Sequence, residues 1–234
     1  ITASAPSWDS KTSSVITVTG PRLYADVIVG AGCGACCVVE LVGTTAPAGG
    51  YTVNLTSNDP SVVSVPATVT IPQGSSGVFF RVTGLLPGST QILASAGGFS
   101  DADTVTVVKS TFSFSTPSQM TVGASGSGSV YTYVPGGTIY YGAGNKTSFT
   151  NQPVASALTA SLSSENPSVI QVPATTVLQP NESNPWGTSG QSFTIQAVGT
   201  GSSTITASAA GWDTKTSSAV EVKPLGGASI PTLH

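Results

Sequence analysis

The sequence has little charge. Only 7% of its 234 residues are Asp, Glu, Lys or Arg, against about 25% in an ordinary soluble domain. Its formal net charge is −3 and it carries no basic patch, which argues against a nucleic-acid partner. Disorder does not explain the low charge, because Val, Ile, Thr and Ser dominate here and disordered chains are poor in Val and Ile. A surface with few repelling charges suits a protein that packs against copies of itself.

Residues that carry enzyme chemistry are scarce. The single histidine is His234 at the C-terminus, and a terminal residue is a poor base for a Ser-His-Asp or Cys-His arrangement. The three cysteines have no neighbouring His to complete a zinc site. No pair of carboxylates stands in a context that suggests acid–base work. We therefore expect a non-enzymatic protein with no cofactor and no metal.

A few carboxylates stand at predicted turns, where calcium is an alternative to simple turn chemistry. They are Asp59, Asp101, Asp103, Glu165 and Asp213, with Asn166 beside Glu165. Calcium needs six to eight oxygen ligands. Asx turns, in which the side chain binds its own backbone, are the default interpretation.

Long hydrophobic runs are also missing. No apolar stretch approaches the roughly 18 residues of a membrane helix, so we expect no membrane insertion. No signal peptide is visible, because Ile1 opens directly into a predicted strand. We expect the chain to begin after processing or inside a longer polypeptide.

One motif occurs three times. Each copy alternates apolar and polar residues, turns at small residues, and returns as a Ser/Thr-rich strand ending in Val. The copies read ITASAPSWDSKTSSVITV from Ile1, ILASAGGFSDADTVTVV from Ile92 and ITASAAGWDTKTSSAVEV from Ile205. An aromatic residue closes each turn: Trp8, Phe99 and Trp212. Alternation with a period of two predicts a β-hairpin, and three copies indicate a repeat protein.

The repeats divide the chain. With 27 Gly and 16 Pro between short apolar runs, the composition predicts an all-β protein. We expect a closing hairpin in residues 1–20, domains at 21–108 and 109–224, and a tail or linker at 225–234. LTSNDPSVVSVPA at residue 55 matches LSSENPSVIQVPA 107 residues later, while VIVGA at residue 27 matches MTVGA after 93. The difference between these two offsets predicts an insertion of about 14 residues around 130–156. The still larger offset between the closing hairpins at Ile92 and Ile205 predicts about six more residues around 180–188.

The run APAGGYTVNLTSNDPSVVSVPATVTIPQGSSGVFFRVTG, followed by ILASAGG, resembles the bacterial immunoglobulin-like modules of large surface and secreted proteins. The resemblance covers most of the first domain, the second half of the second and the opening hairpin. It implies tandem immunoglobulin-like β-sandwich domains, an extracellular or cell-surface location, and a spacer, stalk, adhesin or surface-layer role. The three cysteines and the Tyr-rich insertion depart from the family pattern.

In this sequence the opening hairpin does not follow the strands of a sandwich, as the two later copies do. An isolated two-stranded hairpin is marginal in water, so its apolar residues should pack on something else. Those residues are Ile1, Ala3, Trp8, Val15 and Val18. Either the missing strands lie upstream in a longer array, or the hairpin is donated to another subunit by β-augmentation.

The cysteines lie close together in GCGACCVV. Strand alternation points Cys37 into the core and Cys36 outward, with Cys33 in the adjacent Gly-rich turn. We expect a disulfide between Cys33 and Cys37. The alternatives are an intermolecular bond through the odd cysteine and three small buried thiols.

The insertion SVYTYVPGGTIYYGAGNKTSF reads as an extra hairpin with aromatic faces. The candidate interaction residues are Tyr131, Tyr133, Tyr140, Tyr141 and, in the second insertion, Trp186. Tyrosine is favoured at interfaces, so we expect a contact between subunits; carbohydrate stacking and packing onto the domain's own sheet are alternatives. Trp8 and Trp212, at matched positions, are expected to pin their own hairpins or the junction with the next domain.

Three asparagines fit the glycosylation pattern N-x-[ST] and are candidate glycan sites: Asn54, Asn145 and Asn181.

Together these features predict a structural segment of an extracellular filament, stalk or surface layer, assembled by end-to-end packing or strand exchange. Its partners would be copies of itself or adjoining immunoglobulin-like domains. The alternative is an adhesin or carbohydrate-binding module that uses the Tyr-rich insertion.

Overall fold

The computed structural model describes residues 20–181 and 187–226, together with two short strands, β1 (Thr2–Ala3) and β2 (Lys11–Thr12). The described residues form β-strands and connecting turns. They contain no helix, and so none that is long and apolar enough to cross a membrane.

The first sandwich is built from nine strands. They are β3 (Pro21–Tyr24), β4 (Ile28–Gly30), β5 (Gly34–Leu41), β6 (Tyr51–Ser57), β7 (Val63–Ser64), β8 (Thr68–Ile71), β9 (Gly77–Gly84), β10 (Gly88–Ala96) and β11 (Phe99–Val108). One sheet has the order β4-β11-β10-β6-β8 and the other the order β3-β5-β9-β7. Alternate residues point inward, so that Ile92 and Ala94 on β10 are fully buried between the sheets.

The second sandwich repeats this plan. Its strands are β12 (Thr111–Ser115), β13 (Gln119–Thr121), β14 (Ser125–Tyr133), β17 (Leu158–Ser164), β18 (Ile170–Gln171), β19 (Thr175–Leu178), β20 (Gly190–Ala197), β21 (Gly201–Ser203), β22 (Ile205–Ser208), β23 (Lys215–Thr216) and β24 (Val220–Lys223). They pair as β12-β14-β20-β18 on one side, and as β13-β24-β21 and β19-β17-β22-β23 on the other. An extra hairpin of β15 (Thr138–Gly142) and β16 (Asn145–Ser148) lies between β14 and β17.

In both sandwiches the first edge strand changes sheet. The chain pairs antiparallel as β3 with β5, then crosses and pairs parallel as β4 with β11. The second sandwich does the same with β12 on β14 and β13 on β24. Two mainly antiparallel sheets packed face to face, with the connections crossing between them, are the immunoglobulin-like arrangement. The prediction of an all-β fold with tandem immunoglobulin-like sandwiches is confirmed.

Backbone hydrogen bonds define which residues are equivalent. Gly32 N donates to Gly84 O at 2.8 Å, and Gly123 N donates to Ala197 O at 2.9 Å. Both glycines have a left-handed φ, 76° and 83°, so Gly32 corresponds to Gly123 and the offset is 91. The sequence match of VIVGA with MTVGA, at 93, is therefore two residues out of register. The β6 and β17 segments keep the offset of 107, which makes the insertion 16 residues long (107 − 91).

The repeated motif forms hairpins. β10 and β11 pair antiparallel along their whole length, and β22 pairs with β23. In the opening copy, Thr2 pairs with Thr12 and Ala3 with Lys11. The other residues predicted to face a partner lie outside the described residues: Ile1, Trp8, Val15 and Val18.

The cysteines differ from the prediction. All three are free thiols and fully buried, so the expected Cys33–Cys37 disulfide is wrong in this structure. Cys33 forms a β-bridge and the next residue begins β5, and four residues of extended chain span about 13 Å. A disulfide needs Cα atoms within about 7 Å. Burial raises the pKa of Cys33 to about 12 and that of Cys36 to about 11.

Cys36 was expected to point outward but is also buried. Its neighbour across the ladder is Arg81, whose side chain lies over Gly34, on the same face of the sheet. Arg81 Nη2 donates to Asn181 O at 3.0 Å. The second sandwich therefore reaches this outer face of the first, which sequence alternation alone does not reveal.

Candidate functional site: the junction between the two sandwiches

The two sandwiches are joined without a free linker. Only Lys109 and Ser110 separate β11 from β12, and Ser110 is fully buried. Its hydroxyl donates to Ala31 O at 2.8 Å and lies 3.6 Å from the Cys33 sulfur. Its carbonyl oxygen accepts a hydrogen bond from Asp213 N at 2.8 Å. The connection is thus bonded to both sandwiches.

A second connection links backbone to backbone. Gly34 N donates to Pro153 O, and Ala155 N donates to Gly32 O, each at 2.9 Å. The residues between them form an antiparallel bridge. A segment of the second sandwich therefore pairs with the start of β5 as a neighbouring strand would.

Side chains of the insertion bond the backbone of β4 at the edge where a neighbouring strand would otherwise pair. One edge of β4 pairs with β11, which leaves the amides of Ile28 and Gly30 facing the other way. Ile28 N donates to Thr138 Oγ1 at 2.8 Å, and Gly30 N donates to Gln152 Oε1 at 3.0 Å. Gln152 Nε2 returns a hydrogen bond to Ile28 O at 2.7 Å. Gln152 is fully buried, and both ends of its amide are satisfied, as burial of a polar group requires.

Asp26 is the charged contact of the junction. It lies between β3 and β4 and accepts a hydrogen bond from the Tyr140 hydroxyl. Lys146 Nζ lies 2.6 Å from its carboxylate and also donates to Asp26 O at 3.0 Å. The rings of Tyr140 and Tyr24 meet with centroids 5.7 Å apart. The hairpin of β15 and β16 thereby holds the point where the first sandwich changes sheet.

The electrostatics of this contact favour an ionised Asp26 and a neutral Tyr140. Burial pushes the pKa of Asp26 upward, but hydrogen bonds from Lys146 and Tyr140 outweigh it and lower the pKa below its ordinary 3.8. Burial, followed by the hydrogen bond to Asp26, raises the pKa of Tyr140. The two pKa shifts have compatible directions, because the ionised carboxylate accepts a hydrogen bond from a phenol that stays protonated.

Trp212 provides the apolar part of the junction. Its ring stacks on Phe112 with centroids 5.1 Å apart and is only 9% exposed. A Cβ placed on Gly32 of the first sandwich would lie 3.3 Å from Trp212 Nε1. Trp212 thus packs within its own sandwich and against the sandwich before it.

The predicted aromatic patch is divided by the fold. Tyr140 is buried in the junction, whereas Tyr133 and Tyr141 are 37% and 54% exposed. Tyr131 is half-buried on β14, opposite Gly190, and lines an open pocket with Phe149. Trp186 lies outside the described residues.

The candidate glycosylation sites lie in different settings. Asn54 and Asn145 are exposed, on β6 and β16. Asn181 is half-buried where its carbonyl oxygen meets Arg81. The next two residues of its pattern are outside the described residues.

The acidic side chains at the turns have structural partners. Asp59 and Asn166 each accept hydrogen bonds from the backbone two residues ahead, as Asx turns do. Asp101 accepts Leu23 N at 2.9 Å and Asp103 accepts Ala25 N at 2.8 Å, which ties the sheet-changing segment to β11. In the described part of the chain, no cluster of three or more His, Cys, Asp or Glu side chains could hold a metal ion.

Sequence reasoning missed the residues that make the junction. Gln152, Ser110, Asp26 and Arg81 stand in loops or strands of ordinary composition, and each has a hydrogen-bond partner 79 to 124 positions away in the sequence. The only available signal was the insertion itself, which marked where the second domain departs from the first.

No protein-family model and no curated protein matches the chain. Among solved structures, it is similar to domains 4 and 5 of the S-layer protein SbsC, with 18% identity and a TM-score of 0.34 over 73% of this chain and 75% of that one. It is similar to the D0-D1 domain of intimin (12% identity, TM-score 0.31, 88% and 98% covered). It is also similar to the I9-I11 tandem of titin (12% identity, TM-score 0.33, 88% and 66% covered). Longer SbsC structures are covered over 22–32% of their length.

Proposed function

We propose that this chain is a structural segment of an extracellular filament, stalk or surface layer, and that it transmits position and load through a fixed angle between its sandwiches. The observation that carries the proposal is the junction. A flexible tether would need only a linker, whereas here a 16-residue insertion and a buried glutamine bond one sandwich to the next. Inter-domain motion is the default unless the interface is well built.

The composition supports the same function. With 7% charged residues, neighbouring subunits repel one another weakly. A protein that works by burial and hydroxyl contacts needs no catalytic side chains.

End-to-end packing of modules fits the geometry of the internal junction. There, Trp212 covers Gly32 of the preceding sandwich. The equivalent Gly123 has open space where a Cβ would stand, and Phe99, which occupies the place of Trp212 in the repeat, is 39% exposed. Gly123 is thus uncovered at one end of the pair of sandwiches, and Phe99 is exposed at the other. A neighbouring module at either end would complete the contact that Trp212 and Gly32 make at the internal junction.

Imaging of the native material tests this function. Antibodies against the exposed β16 hairpin should decorate filaments or an ordered surface layer in negative stain, and antibodies blocked with the purified chain should not. Decoration of dispersed particles alone, with no continuous structure, contradicts the proposal.

Carbohydrate binding is a second candidate function, favoured by one feature. A pocket of about 390 Å³ is lined by two aromatic rings and by hydroxyl and amide groups: Tyr131, Ser148, Phe149, Thr150, Asn151 and Thr188. Sugars are recognised by this mixture of stacking and hydrogen bonding. Tyr140 cannot take part, because it is buried in the junction. Loss of binding to a glycan array in Tyr131→Ala, but not in Tyr141→Ala, would favour this function; no binding by the native chain would exclude it.

A further inference from the structure

We propose that residues 1–18 form a closing hairpin of the kind found in the second sandwich (residues 205–222), here called the second type, and not of the kind found in the first. The partner of this hairpin is then a sandwich that resembles the second one and lacks its own closing strands. The inference rests on the proposed function, because it specifies which module the chain is built to join.

The first argument is the pattern of identity between residues 1–18 and 205–222. The two segments are identical at 12 of 18 positions. The residues of the second sandwich that differ are Ala210, Gly211, Thr214, Ala219, Val220 and Glu221. Five of these six are exposed, and the sixth, Val220, is replaced by the similar Ile16. Five differences therefore lie on the surface of the second sandwich, and the one in its core exchanges two β-branched apolar residues.

The second argument is that the retained residues are those that close the sandwich. Ile205, Ala207 and Val222 are buried in the core, and Trp212 stacks on Phe112. Ser217 Oγ accepts a hydrogen bond from Ile205 N at 3.0 Å, and Ser217 N donates one to Ile205 O at 2.8 Å. These two bonds join the two strands of the hairpin.

Each of these residues has an identical counterpart in the opening segment: Ile1, Ala3, Val18, Trp8 and Ser13. Residues 1–18 thus carry the side chains that this core needs.

The third argument is strand register. Thr2 pairs with Thr12 and Ala3 with Lys11; in the second sandwich, Thr206 pairs with Thr216 and Ala207 with Lys215. Both pairings enclose seven residues, 4–10 and 208–214.

The first sandwich differs in this respect. Its pair of Ala94 and Asp101 encloses only six residues, 95–100, and Phe99 stands in place of the tryptophan. A one-residue change in a hairpin alters which side chains share a face. The opening hairpin therefore has the register of the second type and not of the first.

A transplant in the full chain tests the fit. Residues 205–222 are replaced by ITASAPSWDSKTSSVITV, which introduces only the six differences. We expect cooperative unfolding with a Tm within about 5 °C of the native chain. A second variant retains Gly211, whose φ of +78° disfavours serine, and should recover most of any loss. As the matched control, the hairpin of residues 92–108 is placed in the same position, and its shorter turn should lower the Tm well beyond that range.

A deletion of residues 1–18 completes the experiment. Because both sandwiches already contain their own closing hairpins, the deletion should leave the Tm unchanged. The inference is overturned if the deletion lowers the Tm, or if both transplants with the opening sequence destabilise the chain as much as the control does. These outcomes concern the fit of the hairpin, so they are independent of whether native material is seen as filaments or layers.

Discussion

The side-chain amide of Gln152 donates to the carbonyl oxygen of Ile28 at 2.7 Å, across the boundary between the two sandwiches. The same amide accepts from Gly30, so one side chain binds two backbone groups of β4 that no strand reaches. This contact makes the edge of the first sandwich dependent on a residue of the second.

Gln152→Ala should therefore destabilise the chain. The substitution leaves the Gly30 amide and the Ile28 carbonyl buried without their partner, at a cost of about 2–4 kcal/mol in the free energy of unfolding. Urea denaturation measures the loss. Gln171→Ala, on an exposed residue, is the matched control and should change the free energy of unfolding by less than about 0.5 kcal/mol. Equal effects of the two substitutions would contradict this account of the junction.

Acid should weaken the junction through Asp26. The pKa of Asp26 is lowered in the folded state, so its ionised form stabilises the fold above the unfolded pKa of about 3.9. That stability is lost as the pH falls through the lower folded value. Denaturation curves at pH 7 and pH 3 should show a smaller acid-induced loss for Asp26→Asn than for the native chain. An unchanged difference between the two pH values would show that Asp26 has no such role.

Gly32 and Gly123 form a matched pair for substitution by alanine. Both have a left-handed φ, so each alanine variant should lose about 1 kcal/mol of stability from backbone strain. Only at Gly32 does the new methyl group meet Trp212, at 3.3 Å from Nε1. We expect Gly32→Ala to lose about 1 kcal/mol more than Gly123→Ala, with a change in tryptophan fluorescence. If Gly123→Ala is as destabilising, Trp212 does not contribute to the junction.

Thiol titration checks the state of the cysteines. All three are buried, and burial raises the pKa of Cys33 to about 12 and of Cys36 to about 11. Because the thiolate is the reactive form, the native chain should react very slowly with a thiol reagent at pH 8. In denaturant without reductant, all three thiols should react. Recovery of a single thiol would instead indicate a disulfide.

Short-range sequence patterns were sufficient to predict the strands and the insertion. Alternation along ILASAGGFSDADTVTVV predicted the hairpin of β10 and β11, since side chains alternate across a strand whatever surrounds it. Repeat offsets located the inserted hairpin, because length differences between copies are read from the sequence and do not depend on packing. The register of VIVGA against MTVGA was two residues wrong, since a match of small residues does not reveal which amide bonds to which carbonyl.

What the sequence by itself determined is the all-β architecture and its repetition, because periodicity, turn residues and repeat spacing are local properties of the chain. Only the tertiary structure decided the roles of Tyr140, Gln152 and Cys36. Tyr140 binds Asp26 between β3 and β4, Gln152 binds the backbone of β4, and Cys36 lies under a side chain held by the other sandwich. Burial and hydrogen-bond partners at such positions depend on residues about a hundred positions away, which come together only when the two sandwiches dock.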